Sequence, residues 1–138
     1  MPKILYIQAS GRQDKALSRH LADGLIARLR EVHKGATISI RDISQDMTFP
    51  TEASVGAGYT PADQRTPQQN RLLAFSDILT DELLASDILV IATPMYNFGP
   101  PAALKAWMDM VVRVGKTFRF GEDGAYVPLA GDRKTYVV

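Results

Sequence analysis

Two short loops hold most of the residues that could perform chemistry. The first is SGRQDKALS, residues 10–18, in which Ser10 and Gly11 follow an apolar segment and Ser18 lies near the start of a predicted helix. Hydroxyls and free N–H groups at the beginning of a helix favour an anion, because the helix dipole and the unsatisfied donors act together. Neither GxxxxGKS/T nor GxGxxG occurs, so the loop fits the phosphate of a mononucleotide best. The alternative that Ser10 and Ser18 only cap the loop and the helix is equally open.

The second loop, TPMYNFGPP at residues 93–101, concentrates aromatic and polar groups after another apolar segment. Its prolines stiffen the backbone, and large exposed side chains on a rigid loop are costly unless something flat covers them. Asn97 and nearby N–H groups could bond the edge of a heterocycle, while Met95, Tyr96 and Phe98 contact its face and rim. The loop is predicted to bind a flat ring, with packing of its aromatic side chains above the sheet as the alternative.

No other residues form a catalytic or metal-binding pattern. His20 and His33 do not have the spacing of metal ligands and are expected at the surface or at a helix end. Ser10 could act as a nucleophile only with a histidine base, and none is placed near it. Trp107 lies in a predicted helix and is expected in the core or an interface. We expect no catalytic residues in the protein itself and no bound metal.

The composition is that of an ordinary globular protein. Of the 138 residues, 46% are hydrophobic and 22% are charged, which predicts one soluble domain over residues 1–138. The formal net charge of +1 argues against nucleic-acid binding. The apolar runs are far shorter than the about 20 residues of a membrane span. Cysteine is absent, as is common in a reducing compartment, so a cytoplasmic protein without membrane association is expected.

Strands and helices alternate along the chain. Apolar runs predict strands buried on both faces over 3–9 and 88–92, and alternation predicts a strand nearer the sheet edge over 36–43. Helices are expected over about 16–31, from Thr66 to about 85, and over 102–113. The segment 44–65 has no period and is predicted to be a long loop. A small hairpin is expected at 118–127 and a last strand at 135–138.

The leucines define the expected buried stripes of these helices. In the first helix the predicted stripe is Leu17, Leu21, Leu25 and Leu29, with Ala22 and Ile26 beside it. The second stripe consists of Leu72, Phe75, Leu79 and Leu83, and the third of Leu104, Met108, Val111 and Val112.

This order of elements predicts an α/β fold with a doubly wound parallel sheet and helices on both faces. In such sheets ligands bind outside the carboxyl ends of the strands, where the strand order reverses. Both candidate loops leave buried strands in that direction. The pattern stops within a strand, so we expect the chain to be truncated before a last helix, strand and helix.

The chain resembles the FMN-dependent NADH-azoreductase and NADH:quinone oxidoreductase family, formerly labelled acyl carrier protein phosphodiesterase. The resemblance runs from KILYIQAS through ISIRDIS and TPQQ to PMYNFGPPAALKAWMD and GKTFRF, and so covers essentially all of the sequence. The PMYNF stretch, with LK and D downstream of it, is its specific part. It implies a flavodoxin-like fold.

The resemblance also implies which residues bind FMN. The phosphate would be held by Ser10, by the backbone at Ala16 and Leu17, and by Ser18, whereas many members carry polar side chains where Ala16 and Leu17 stand. Met95, Tyr96, Asn97 and Phe98 would hold the isoalloxazine, and Phe120 would help to shape the substrate pocket. The family's closing FMN loop would follow Val138.

The activity implied by the resemblance is two-electron transfer from NADH through FMN to quinones or azo compounds, in a ping-pong cycle and in a homodimer with its active site at the subunit boundary. The protein would orient the cofactor and tune its electronics, with protons taken from solvent. The alternatives are a flavodoxin-type electron carrier, an FMN-binding module without turnover, and an inactive fragment. Such carriers are usually strongly acidic, and the near-neutral charge argues against that alternative.

Overall fold

A computed structural model describes residues 1–138. The strands are β1 (Lys3–Gln8), β2 (Thr37–Asp42), β3 (Ile88–Ala92), β4 (Phe118–Phe120), β5 (Tyr126–Pro128) and β6 (Lys134–Val137). The α-helices are α1 (Leu17–Val32), α2 (Glu52–Tyr59), α3 (Pro67–Leu84) and α4 (Ala102–Val111), and short 3-10 turns cover Gln13–Lys15 and Ala62–Gln64.

Four strands form a parallel sheet in the order β2–β1–β3–β6. Strand β1 lies between β2 and β3, with Tyr6 opposite Ile40 on one side and opposite Val90 on the other. Every residue of β3 is buried, whereas Ile40 on the edge strand β2 is exposed. The continuous apolar runs therefore identified the central strands correctly, and the alternating pattern identified an edge strand.

The core on one face of the sheet is formed by alternate residues of β1 and β3 together with α1. Its buried members are Ile4, Tyr6, Ala22, Ile26, Leu29, Ile88, Val90 and Ala92. The predicted leucine stripe of α1 is therefore wrong at its beginning, since Leu17 and Leu21 are exposed. Residues four apart advance by more than one helical turn, so a row of that spacing drifts around the helix, and only its end faces the sheet.

The predicted long loop at 44–65 was also wrong, because it contains α2. Thr51 and Ser54 form a reciprocal capping box at its start: the Ser54 N–H donates to the Thr51 hydroxyl, and the Thr51 N–H donates to the Ser54 hydroxyl. The sequence EASVGAGY has two glycines and no apolar period, so its intrinsic helix propensity is low. Cap bonds and the burial of Ala57 and Gly58 stabilise this helix, and neither produces a periodic pattern.

The predicted buried stripes of α3 and α4 were partly wrong. In α3, Leu79 is buried as predicted, but Leu72 is exposed and Leu73 is buried in its place. In α4, Met108 is exposed. The buried residues on and beside α4 are Leu104, Ala106, Trp107, Met110, Val111 and Arg113. Val112 is exposed, and Trp107 is buried, as expected for a core residue.

The chain forms two compact units. One comprises residues 1–47, 85–105 and 133–138 and contains the parallel sheet with α1; the other comprises residues 48–84 and 106–132 and contains α2, α3 and the antiparallel pair β4–β5. The expected single domain over residues 1–138 stays a prediction. None of the helices combines the length and apolar character required to cross a lipid bilayer.

Candidate functional site

The strand order reverses between β1 and β3. From β1 the chain proceeds to β2 on one side of the sheet, and β3 lies on the other side, so the carboxyl ends of β1 and β3 border the crevice where α/β proteins bind ligands. Directly after β1, the Ala9 N–H donates to the carbonyl of Ala92, the last residue of β3, at 2.9 Å. The two loops singled out in the sequence therefore leave the sheet side by side.

The first loop begins with a buried serine. Ser10 is 1% exposed, and its hydroxyl accepts a hydrogen bond from the Arg12 N–H at 3.2 Å. The Ser10 carbonyl accepts from the Gln13 N–H at 3.4 Å, and Gln13 has a positive φ of 51°, which is uncommon for a residue other than glycine. The loop is thus a defined turn.

Helix α1 starts without a side-chain cap. Ala16 is its N-cap residue and has no side-chain acceptor, and the Ala16 N–H donates to the Gln13 carbonyl at 2.9 Å. The first-turn N–H groups of an α-helix have no partner within the helix, which leaves those of Leu17 and Ser18 for another acceptor. The Ser18 hydroxyl is buried and has no hydrogen-bond partner. A buried, unpaired hydroxyl beside an uncapped helix start fits an anion such as a phosphate.

The aromatic loop is a two-residue turn held under backbone strain. The Tyr96 N–H donates to the Gly99 carbonyl at 2.8 Å and the Gly99 N–H donates to the Tyr96 carbonyl at 3.0 Å. Between them Asn97 and Phe98 have positive φ values of 48° and 65°, the conformation of a type I′ turn. The Phe98 side chain is 99% exposed, and that of Met95 is also exposed. A bulky residue in this conformation costs about 1–3 kcal/mol, so the turn presents its aromatic face at an energetic cost.

The two loops meet at Gly11 and Tyr96. A Cβ atom on Gly11 would lie 3.8 Å from the Tyr96 hydroxyl, which is ordinary van der Waals contact. The serine-bearing loop and the aromatic turn therefore lie at the same end of the sheet, within reach of one mononucleotide-sized ligand.

An ion-pair network beneath the first loop was not recognised in the sequence. Arg19, in the first turn of α1, donates to the Ser10 carbonyl at 3.0 Å, to Gln8 at 3.1 Å and to Asp42 at 2.9 Å. Its Nη2 also lies 3.2 Å from the Ser44 hydroxyl. The available signal was that Gln8, Asp42 and Ser44 are polar residues at the carboxyl ends of adjacent strands.

Asp42 is held in its charged form by this network. Burial of the carboxylate is the largest single influence and favours a higher pKa, whereas hydrogen bonds from the Ser44 hydroxyl at 2.6 Å and the Ser44 N–H at 2.9 Å favour a lower one. The Ser44 bonds and the Arg19 guanidinium together outweigh burial, so the pKa of Asp42 is lowered below its ordinary value.

Phe120 lies on β4 in the other compact unit. Its ring packs with those of Phe118 and Tyr126 at centroid distances of 5.5 Å and 5.3 Å. The Phe120 side chain is 43% exposed and that of Tyr126 is 71% exposed. The exposed rings of this aromatic cluster offer a surface that a planar molecule could contact, and the role of Phe120 in a substrate pocket stays a prediction.

The comparisons with known proteins agree with this architecture. Residues 2–138 match the family described by its flavodoxin-like fold. The chain is 48% identical to the FMN-dependent NADH:quinone oxidoreductase 1 of Hahella chejuensis, over 99% of this chain and 66% of the relative. It is 45% identical to the protein of the same name from a Jannaschia species, over 100% of this chain and 70% of the relative.

Among solved structures, the azoreductase of Bacillus anthracis is 26% identical to this chain. The two superimpose with a TM-score of 0.87 over 99% of this chain and 67% of the azoreductase chain. The chain thus spans about two thirds of the length of the curated relatives that it matches (66% and 70% for these two). The prediction of the fold and of the family is confirmed. The chain belongs to the flavodoxin-like family that includes the FMN-dependent NADH:quinone oxidoreductases.

Proposed function

We propose that this chain binds FMN and acts in an oxidoreductase that passes two electrons from NADH to quinones or azo compounds. The observation that carries the proposal is the juxtaposition of an uncapped helix start with an exposed aromatic turn at the carboxyl ends of β1 and β3. The names of the related proteins supply the cofactor and the electron donor.

The phosphate end of FMN would be held by the start of α1. Ser10, Ser18 and the N–H groups of Leu17 and Ser18 are the donors we assign to it. The buried Ser18 hydroxyl, which has no partner within the chain, supports this assignment, because such groups are rare in proteins unless a ligand or water satisfies them. Ala16 would contribute by backbone shape, since its N–H is bonded to Gln13.

The flavin ring would lie against the aromatic turn. Met95, Tyr96 and Phe98 offer exposed surface for its face and rim, and the exposed Asn97 amide can bond its polar edge. The strain at Phe98 supports a functional role, because backbone strain of this kind clusters at ligand sites.

FMN bound at this site would supply the redox chemistry, which is two-electron transfer from NADH to the acceptor. The residues of this chain would orient the ring and hold its phosphate. No acid–base pair is assigned, and solvent would supply the protons.

We also propose that the protein is a homodimer in the cytoplasm, where NADH is available. In this proposal Phe120 helps to shape the acceptor pocket. The exposure of the ring cluster around Phe120 supports contact with a planar acceptor. A Phe120→Ala variant should raise the KM for a quinone more than it changes the KM for NADH. Light scattering of the purified protein tests the dimer, and a monomer at all concentrations would contradict it.

The decisive experiment measures the visible absorption of the purified protein with and without added FMN. A bound-flavin spectrum and quinone-dependent consumption of NADH support the proposal. A protein that does not bind added FMN contradicts it at its centre. Flavin binding without NADH consumption would favour the alternative of an electron carrier or a binding module.

A further inference from the structure

We infer that Arg19 is the positioning residue of the phosphate end of this site. It acts on the loop through the Ser10 carbonyl and links that loop to the end of β2 through Asp42 and Ser44. The inference rests on the proposed FMN function and adds to it a residue that lies outside the predicted set of contacts.

The contacts of Arg19 extend to three elements. Its guanidinium bonds Gln8 at the end of β1, the Ser10 carbonyl at the start of the loop, and Asp42 at the end of β2. Arg19 itself stands in the first turn of α1, directly after Ser18. One side chain therefore connects the helix start, the loop and both strand ends that surround the predicted phosphate position.

Arg19 is the side chain outside the loop that bonds its first carbonyl, whereas the other bonds of its turn join residues 10–16 to one another. At 3.0 Å, the Arg19 bond to the Ser10 carbonyl is shorter than the 3.4 Å bond from the Gln13 N–H to the same oxygen. Gln13 also carries the strain of a positive φ. Removal of the guanidinium would leave the buried Ser10 carbonyl with one long hydrogen bond, so the start of the loop would lose its bond to α1 and to the end of β2.

The burial of Arg19 and its pairing with Asp42 indicate that it positions the loop and does not act by attracting the phosphate. The Arg19 side chain is 12% exposed, and Asp42 accepts from it at 2.9 Å. The Asp42 carboxylate and the Arg19 guanidinium carry opposite charges at close range. At the distance of a bound phosphate their fields nearly cancel, so the phosphate would experience little net positive charge from Arg19. The contribution of Arg19 is therefore geometric, and Asp42 supports it by fixing the guanidinium.

The first test compares Arg19→Gln with Arg28→Gln, a matched loss of positive charge on the same helix. Arg28 is 72% exposed and pairs with Glu31, three residues along α1. Dissociation constants are measured for FMN and for riboflavin, which lacks the phosphate. We expect Arg19→Gln to weaken FMN binding about tenfold to a hundredfold, with riboflavin binding changed far less and Arg28→Gln unchanged for both. An equal loss for both flavins, or no loss for FMN, would overturn the inference.

The second test uses Asp42→Asn, which keeps Arg19 and makes the site more positive. A positioning role requires weaker FMN binding in this variant, because the guanidinium loses its charged anchor. A role through charge alone requires tighter binding, and that result would overturn the inference even if Arg19→Gln does not fold. Failure of the unmodified protein to bind FMN would instead contradict the proposed function, so the two hypotheses can be distinguished.

Discussion

The hydroxyl of Tyr96 lies 3.8 Å from the position that a Cβ atom on Gly11 would occupy, although β2 and β3 lie between these two residues in the sequence. Gly11 follows β1 and Tyr96 follows β3, and these strands are neighbours in the sheet. The contact shows that the serine loop and the aromatic turn border one crevice, as a single mononucleotide ligand requires.

The space beside Gly11 limits the size of the side chain that this position can hold without weakening FMN binding. A methyl group at 3.8 Å makes ordinary contact, so Gly11→Ala should bind FMN within about twofold of the unmodified protein, well below the tenfold that corresponds to about 1.4 kcal/mol. Gly11→Leu should weaken binding clearly, because its longer side chain displaces the Tyr96 hydroxyl. Flavin fluorescence titration measures both, and equal affinities in the two variants would show that the gap is unimportant.

Removal of the Ser18 hydroxyl should weaken FMN binding without lowering the stability of the folded protein. The hydroxyl is buried without a partner, so Ser18→Ala should leave the free energy of unfolding unchanged or slightly raised. FMN affinity should fall about tenfold, as expected for loss of a hydrogen bond to a charged group. Calorimetric titration and urea unfolding measure the two quantities.

Ser39→Ala provides the control, because Ser39 is an exposed serine on β2 of the same unit. It should change neither quantity. A Ser18→Ala protein that unfolds more readily and binds FMN normally would indicate that Ser18 has only a capping role.

Two substitutions of Phe98 should separate strain from ring contact. Phe98→Gly removes the cost of a positive φ and should stabilise the protein by about 1 kcal/mol, since the exposed ring contributes no burial. Phe98→Ala keeps the strain and should leave stability nearly unchanged. Both variants lack the ring, so both should bind FMN more weakly. Unchanged FMN affinity in Phe98→Ala would remove Phe98 from the site.

The pKa of Asp42 predicts a pH dependence of stability. Burial acts to raise its folded-state pKa, but Ser44 and Arg19 lower it further than burial raises it, so its stabilising contribution is present above the unfolded pKa of about 3.9. This contribution is lost as the pH falls through the still lower folded-state pKa. Asp42→Asn should therefore be less stable than the unmodified protein at neutral pH, by a difference that is constant above about pH 5.

The difference in stability between the unmodified protein and Asp42→Asn should shrink as the pH falls below about 5. Protonation of Asp42 then removes the same negative charge that the substitution removes. Urea unfolding between neutral and acidic pH measures it. A difference that stays constant down to the acid limit would show that the pKa of Asp42 is not lowered in the folded state.

The cap of α2 should contribute measurably to stability. Thr51→Ala removes the acceptor of the Ser54 N–H and should lower the free energy of unfolding by about 1 kcal/mol. Thr48→Ala makes the same change at an exposed threonine in the segment before α2; it is the matched control and should have almost no effect. Equal stability of the two variants would mean that burial alone maintains this helix.

Much of the fold was predictable because burial imposes local patterns. The uninterrupted apolar runs ILYI and ILVIA correctly indicated strands covered on both faces, and Thr66-Pro67 correctly marked the start of α3. The position of the candidate site followed from the rule that ligands bind at the carboxyl ends of such strands. The residues of the FMN contacts remain predictions.

The errors arose where local pattern and tertiary contact disagree. Helix α2 has no apolar period, and its cap uses serine in place of the usual glutamate or glutamine. Leu17 and Leu21 continue a leucine row but face away from the sheet. A periodic row of leucines does not specify which part of the helix the sheet covers.

The sequence by itself determined the two central strands, the polar and aromatic loops that follow them and the family resemblance, because each is encoded in a contiguous stretch of residues. Only the tertiary structure revealed that Arg19 joins Ser10 to Asp42, that the Ser18 hydroxyl is buried without a partner, and that Gly11 faces Tyr96. The contacts of Arg19 and of Gly11 bring together residues of α1 and of the segments that follow different strands. Their distances depend on strand order and register, which no single segment of the chain specifies.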